Sequence, residues 1–538
     1  MTEPLWWQRG VIYQIYPRSF QDSNGDGVGD LPGIISRLDY LVDLGVDAIW
    51  LSPHYPSPQD DFGYDVADYV GVDPMYGTLA DFDNLVTEAH RRDLKVMVDF
   101  VPNHSSSKHP WFIESAADLT NRKRDWYVWR DPKSDGSPPN NWVSVFGGPA
   151  WEMDDRTGQY YLHSFLTSQP DLNWRNPELE REMLDVLRFW MERGVDGFRI
   201  DVAQRSMKDP LLRDNPPASV IDPTSYKFNA EWAATKHIYD SADPDIHLLF
   251  RKFRSVLDEY PERFSIAEIH EWDWNRWASY YGGGEGLHMP FNFAPLTAGV
   301  DPAKLRKIMT SMEEVLPPGA WPNWVLGNHD EQRIATRLGR EESGAMAVLL
   351  LTVRGTPTIY YGDEIGMVET DIPPELQQDP YGRRVPGHGR DGCRTPMQWS
   401  LVPHAGFSPP ETPSTWLPVH PDHIVTNVET ESKDPASRLA LYRRLLQLRR
   451  ASPALHSGAV EVVPSVPEVV AYRRSHPGAD SFTIAVNLSD GPVNHRASGV
   501  VVVGTDRSRE GNTFDGHLGP WEAVVVRETD PEPQNTNP

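Results

Sequence analysis

The stretch VIYQIYPRSFQDSNGDGVGDLPGIISRLDYLVDLGVDAIWLSP (11–53) decides the fold class. VIYQIYP (11–17) is a continuous apolar run of strand length. LPGIISRLDYLVDLG (31–45) carries apolar residues at helical spacing, and DAIWLSP (47–53) is a second strand. A strand, a helix and a strand buried on both faces form the unit of a parallel sheet covered by helices. The rhythm continues: LADFDNLVTEAHRR (79–92) reads as a helix and KVMVDFVPN (95–103) as a strand. A helix near 177–193 then precedes the strand in GVDGFRIDVA (194–203), and a helix near 245–259 precedes the strand in RFSIAEIHEW (263–272). NWVLGNHD (323–330) and TPTIYYGDE (356–364) are later strands, and a helix lies near 436–450. About eight such units match the length of a (β/α)8 barrel. A doubly wound open sheet is the structural alternative, but no glycine-rich phosphate turn follows the first strand.

Two stretches break the rhythm. The segment 104–172 is rich in Trp, Pro, Asn and Gly and reads as a subdomain inserted after the third strand. From 457 the pattern turns to short strands only: VEVVP (460–464), VVAYRR (469–474), FTIAVNLS (482–489), VVVV (500–503) and AVVVRE (523–528). The expected organisation is α/β: a (β/α)8 TIM barrel in two parts (1–103 and 173–456), the insert at 104–172, a C-terminal antiparallel β-sandwich domain (457–530) and a disordered tail (531–538).

The 538 residues hold 51 Lys and Arg against 77 Asp and Glu, a formal net charge of −26. That balance argues against nucleic acid or anionic lipid as a partner. A single cysteine, Cys393, excludes an internal disulfide. Beside the pocket motif GRDGCRTPMQW (389–399) it reads as a small filler rather than a redox thiol. No apolar run approaches the roughly 18 residues of a membrane span, and the opening MTEPLWWQRG lacks the pattern of a signal peptide. The expectation is a cytoplasmic enzyme, monomer or homodimer, without an organic cofactor.

In a barrel the C-terminal strand ends form the active face. Their polar residues can therefore be collected: Asp99, Asn103 and His104; Arg199 and Asp201; Glu268; His329 and Asp330. Arg199 and Asp201 share a strand face, and a guanidinium favours an ionised carboxylate, which suits Asp201 to nucleophilic attack. Glu268 has no cation within two residues, so partial burial is expected to keep it protonated as a general acid. Two such carboxylates can divide the work of breaking a glycosidic bond. Separately, DSNGDGVGD (22–30) offers oxygens at two-residue steps, a pattern that suits Ca2+ and equally a solvated Asp/Asn/Gly turn.

With these segments in order, the chain resembles the α-amylase superfamily, glycoside hydrolase family 13, in its α-glucosidase and oligo-1,6-glucosidase branch. The resemblance runs through 6–34, DAIWLSPHYPSPQDDFGYDVADY (47–69), DFVPNHSS (99–106), QPDLNW (169–174), GFRIDVA (197–203), AEIH (267–270), GNHDEQR (327–333) and 389–399. It implies a retaining, exo-acting α-glucosidase working by double displacement on maltose- or isomaltose-type substrates, with transglucosylation. The alternative is a dedicated α-glucosyltransferase or sugar isomerase of sucrose or trehalose type.

The resemblance also assigns roles. It makes Asp201 the nucleophile, Glu268 the acid/base and Asp330 the transition-state stabiliser. His104 and His329 bind the sugar and Arg199 orients Asp201. Asp61 and Arg394 grip the terminal 4-hydroxyl, and Tyr64 and Phe165 line the pocket. Val202, next to the nucleophile, influences linkage choice, and Gln204 departs from the usual Asn. Asp22, Asn24, Asp26, the carbonyl of Val28 and Asp30 become ligands of a structural calcium ion.

Overall fold

The computed structural model describes residues 3–219, 230–385 and 387–529; the expected tail at 531–538 lies outside them. Eight strands form one sheet: β1 (Ile12–Ile15), β2 (Ala48–Leu51), β3 (Lys95–Phe100), β4 (Gly197–Ile200), β5 (Phe264–Ala267), β6 (Met289–Pro290), β7 (Asn323–Val325) and β8 (Thr356–Tyr360). Their order, β7-β8-β1-β2-β3-β4-β5-β6, follows the chain around a circle. Every paired neighbour is parallel. This is a nearly closed (β/α)8 barrel.

The barrel interior is packed rather than hollow. Ile12, Ala48, Trp50, Met97, Phe264, Ile266, Met289 and Val325 fill it, and Trp6 and Trp7 belong to the same buried cluster. Trp7 stacks on Phe264 at 5.3 Å between ring centres. A side chain at Gly197 would meet the Phe264 carbonyl at 2.9 Å, so the interior tolerates only hydrogen there. The opposite faces of the strands pack under the surrounding helices, where Phe198 and Ile200 join a second, larger core.

Two elements differ from the sequence expectation. β6 has only two residues, Met289 and Pro290, too few to leave a periodic signal. The helix read over 31–45 is two helices, Leu31–Ser36 and Leu38–Leu44. Arg37, at φ −108° and ψ 3°, breaks them apart; its guanidinium donates to Gln21 Oε1 at 2.7 Å and lies 4.2 Å over the Trp399 ring.

Between β3 and β4 the insert forms a three-stranded antiparallel sheet (Trp129–Arg130, Gln159–Leu162, Trp151–Asp154). Single bridges His104↔Asp171 and Tyr127↔Leu172 pin its two ends to each other at the barrel rim. Buried Asp171 pairs with Lys208 at 2.6 Å and accepts from Ser164. The C-terminal sheet has five antiparallel strands, 459–462, 469–475, 482–487, 523–528 and 499–504 in spatial order, with a two-stranded ribbon (493–494, 517–518). It is tied to the helix Arg340–Thr352, buried from Ser343 onward, by the Tyr472 and Thr352 hydroxyls, 2.6 Å apart. Among the described residues no helix is long and apolar enough to cross a membrane.

His54, on the loop after β2, is fully buried against Phe82, Trp190 and Tyr55. Neither ring nitrogen has a partner among the described residues. Burial alone lowers its pKa to about 3. The unfolded chain therefore binds a proton that the folded chain refuses. This costs stability as the pH falls below about 6.5, reaching roughly 1–2 kcal/mol by pH 5. His54→Phe is expected to raise the melting temperature at pH 5 while changing it little at pH 8. An equal shift at both pH values would contradict this account.

Candidate active site

The site lies at the C-terminal ends of the strands, around one guanidinium. Arg199, on β4, is 3% exposed. Its Nη1 donates to Asp99 Oδ1 at 2.8 Å and to Asp201 Oδ1 at 2.5 Å, and its Nη2 donates to Glu268 Oε2 at 2.8 Å. The ladder explains why these groups meet. Asp99 on β3 is level with Arg199 on β4. The next amides also pair, Asp201 N–H to the Phe100 carbonyl at 2.8 Å and Glu268 N–H to the Ile200 carbonyl at 2.9 Å.

Val202 completes the grip on Glu268. Its N–H donates to Glu268 Oε2 at 3.0 Å. To aim it, the backbone adopts φ 43° and ψ 36°, the left-handed region that a β-branched residue avoids at a cost of about 1–3 kcal/mol. Strain of this size at the residue after Asp201 marks a functional turn. Sequence reasoning had treated Val202 only as a side chain.

The protonation pattern corrects the sequence expectation. Burial is the largest influence on Asp201 and outweighs Arg199; with Glu268 and Asp99 adding negative charge, the carboxyl sits well above the usual range. Burial also acts to raise Glu268. Arg199 overcomes it, helped by His270, whose Nε2 lies 2.9 Å from Oε1, and Glu268 falls below the usual range. The expectation of no nearby cation counted sequence neighbours only; the fold brings Arg199 across from the adjacent strand. The two carboxyls interact strongly and titrate as one coupled unit. Burial pushes Asp99 up to about 6 against the pull of Arg199.

The rest of the pocket continues from this centre. His329 Nδ1 meets Gln14 Nε2 at 2.7 Å and its Nε2 meets the Tyr64 hydroxyl at 2.6 Å. Burial lowers its pKa to about 3 and that of His104 to about 4, so both are neutral donors or acceptors at neutral pH. His104 packs against Phe165 with ring centres 5.2 Å apart, and its Nε2 contacts the Tyr64 carbonyl and Gln169. Gln169, fully buried, also donates to Asp61 Oδ2 at 3.0 Å.

The far end of the pocket adds an arginine that the resemblance did not assign. Asp61 is bound by Arg390, with Nη2 2.9 Å from Oδ1. Arg390 also reaches Asp330 Oδ1 at 2.9 Å and Asp379 at 2.7 Å. Arg394, fully buried, donates to the His329 carbonyl at 2.8 Å and to Asp330 Oδ1 at 3.0 Å. It therefore orients Asp330 from behind, and Arg390 bridges Asp61 to Asp330. Arg390 and Asp379 were missed by the sequence reading, although Arg390 stands four residues before Arg394 in a motif it quoted. Asp379 is pulled down to about 2, burial being outweighed by Arg390. Cys393 is buried among these groups, and burial pushes its thiol up to about 12, consistent with a filler.

The loop 22–30 holds its oxygens differently from a gathered cluster. Asp22 accepts from the N–H groups of Asn24, Gly25 and Gly27 and from the Ser408 hydroxyl. Asn24 and Asp26 accept from N–H groups two residues on. Asp30 caps the helix that starts at Leu31 and binds Ser23. Among the described residues no three acidic, His or Cys side chains converge as a metal cluster. The donor set nevertheless fits a hard cation: it is all oxygen, and the buried carboxylates of Asp22 and Asp30 have no Lys or Arg partner among the described residues. Burial raises Asp30, and Asp22 adds to the rise.

A barrel whose strand ends carry one guanidinium shared by three carboxylates, with an insert closing the rim, invites comparison with known proteins. The model of the α-amylase catalytic domain matches residues 14–458. The chain belongs to the α-amylase family. It is 44% identical over 508 residues to a probable α-glucosidase of Rhizobium meliloti (strain 1021), covering 90% of each chain. It is 36% identical to an oligo-1,6-glucosidase of Parageobacillus thermoglucosidasius, covering 98% of this chain and 99% of that one. Among solved structures, the α-glucosyl transfer enzyme XgtA superposes with a TM-score of 0.91 at 41% identity, covering 98% of this chain and all of that one.

Within this α-amylase-family site, Arg390→Met should leave Asp61 a buried acid with Gln169 but no cation, and should leave Asp330 to Arg394 without the bridge to Asp61. A loss of kcat/KM of about 10²-fold or more on a terminal glucoside is expected, on the scale of breaking a buried ion pair. Retained wild-type kcat/KM would show that the bridge plays no part in binding.

Proposed function

We propose that the chain is a retaining, exo-acting α-glucosidase that removes terminal α-linked glucose from maltose- and isomaltose-type disaccharides and short oligosaccharides. The observation carrying this is the single Arg199 fork that spans Asp201 and Glu268. Retaining enzymes hold the two carboxyl groups about 5–5.5 Å apart and inverting ones about 6.5–9.5 Å. Carboxylates bound by the two terminal nitrogens of one guanidinium belong with the closer pair. The Arg390 bridge between Asp61 and Asp330 closes one end of the pocket, which supports attack at a chain terminus and a grip on the 4-hydroxyl there. Tyr64, Phe165, His104 and His329 line the glucose site.

In the first step Asp201 attacks the anomeric carbon while Glu268 gives its proton to the leaving oxygen, producing a β-glucosyl–Asp201 ester. In the second, Glu268 takes a proton from water, the water oxygen bonds to the anomeric carbon, and Asp201 leaves. For the first step the pair's proton must sit on Glu268 and Asp201 must be ionised. Two effects favour that arrangement: the sugar covers Glu268, whose side chain is 14% exposed, and the positive charge that develops at the anomeric carbon in the transition state favours an ionised Asp201. Asp330, held by Arg390 and Arg394, stabilises that charge. A sugar hydroxyl replacing water in the second step gives transglucosylation, in keeping with the likeness to a glucosyl transfer enzyme.

Asp201→Asn and Glu268→Gln should each lower kcat on maltose by about 10²–10⁴-fold or more with little change in folding. Freshly released glucose should be the α anomer by NMR. β-Glucose as first product, or near-wild-type turnover by either variant, would refute the mechanism. Absence of turnover on both maltose and isomaltose would refute the substrate assignment.

The loop 22–30 is proposed to hold Ca2+ through Asp22, Asn24, Asp26, the Val28 carbonyl and Asp30, with a structural role. Chelation should lower the melting temperature, and Ca2+ should restore it where Mg2+ does not. Metal-free protein by elemental analysis, with a chelator-insensitive melting temperature, would overturn the assignment.

A further inference from the structure

His270 stands in a place that the mechanism so far leaves unused. Glu268 has two oxygens. Oε2 is filled by two donors, Arg199 Nη2 at 2.8 Å and Val202 N–H at 3.0 Å. Neither can accept, so the catalytic proton has to sit on Oε1. The group that meets Oε1 is His270 Nε2, at 2.9 Å.

The ring is positioned from three sides. Its backbone N–H donates to Gln204 Oε1 at 2.8 Å. Gln204 is two residues beyond Val202, and its own Nε2 reaches toward Ser241 Oγ at 3.4 Å. The imidazole stacks on Phe293, with centres 4.8 Å apart and planes 19° from parallel, and Phe293 stacks on Phe291. The His270 side chain is about half exposed, so it faces the open, leaving-group side of Glu268. The charged groups around Glu268 are Arg199 and Asp201 from β4, Asp99 from β3, Arg205 from the turn after β4 and Asp330 from the loop after β7. None of these is hydrogen-bonded to Oε1 among the described residues; His270 is.

We propose that His270 is a positioning residue that sets the proton affinity of Glu268 and yields its place at Oε1 to the glycosidic oxygen. As an Nε2–H donor it stabilises the Glu268 carboxylate, the form needed after the leaving group has departed. When substrate binds, the glycosidic oxygen takes over Oε1, the donor is lost, and Glu268 gains affinity for the proton it must deliver. Gln204 and Phe293 keep the ring at hand for its return. This inference rests on the reading of Glu268 as acid/base.

The test follows kcat/KM against pH for wild type, His270→Ala and His270→Gln, with maltose and with 4-nitrophenyl α-glucoside. This parameter reports the steps up to departure of the leaving group, so the basic limb follows loss of the acid's proton. Removing a hydrogen bond from the charged form of a carboxyl raises its pKa. The Ala variant should therefore move the basic limb on maltose upward by about half a pH unit or more. Gln, which retains an N–H donor, should return the limb toward wild type. The nitrophenyl substrate, whose leaving group departs with little proton assistance, should lose less of its kcat/KM on the basic limb.

An unmoved limb in the Ala variant, or a limb that Gln does not return toward wild type, overturns the role of His270 and leaves the α-glucosidase reading intact. Failure of wild type to cleave either glucoside refutes that reading and the inference with it. Melting temperatures of the variants control for folding, and His270→Phe, which keeps the stack on Phe293 but has no donor, takes the place of Ala if Ala is unstable.

Discussion

The active face depends on the charge of one arginine in a dry place. Arg199 is buried at the mouth of a barrel whose interior is hydrocarbon and indole, and it binds Asp99, Asp201 and Glu268 at once. A buried cation of this kind is stable only when fully paired, and buried carboxylates need it equally. The four groups therefore fix one another. Three adjacent strands, β3, β4 and β5, each supply one end of the network, so the parallel register of the sheet becomes the geometry of the site. Negative charge exceeds positive charge around Arg199, and burial raises both Asp99 and Asp201, so the cluster favours holding a proton. The ability of the pair to exchange that proton is thus built into the burial of the barrel mouth.

A second arginine repeats the device at the far end of the pocket. Arg390 joins Asp61, Asp330 and Asp379, which come from loops far apart in sequence. The insert contributes as well: Gln169, on its return segment, holds Asp61 and meets His104. The pocket is therefore assembled by two guanidinium hubs, one on the rigid sheet and one on a loop.

Much of this is legible in the residues alone. Long apolar strands such as KVMVDFVPN and well-separated amphipathic helices announce a helix-covered parallel sheet, and polar residues at strand ends mark the active face. β6 escapes detection because a two-residue strand has no period. Arg37 splits a helix for a tertiary reason, its contacts with Gln21 and Trp399. Partners across strands are equally hidden: the sequence shows Arg199 beside Asp201 but not Arg199 against Glu268, and the expected proton assignment followed the chain rather than the space. The pairing of Asp61 with Arg390 rather than Arg394 is decided by how the 389–399 loop folds over Asp330, which spacing does not reveal.

The left-handed turn at Val202 has a consequence for how linkage choice can evolve. One residue follows Asp201 directly and gives its N–H to Glu268. Any exchange there alters two properties together, because residues differ in how willingly they adopt a positive φ as well as in size. A bulky or branched replacement tightens the fit of the departing sugar and strains the turn; a glycine relaxes the turn and empties the wall. On the roles proposed above, preference for one glucosidic bond over another would be coupled, through a single pair of torsion angles, to the grip on Glu268. Drift in selectivity along this lineage would have to be accompanied by adjustment in the contacts that hold Glu268.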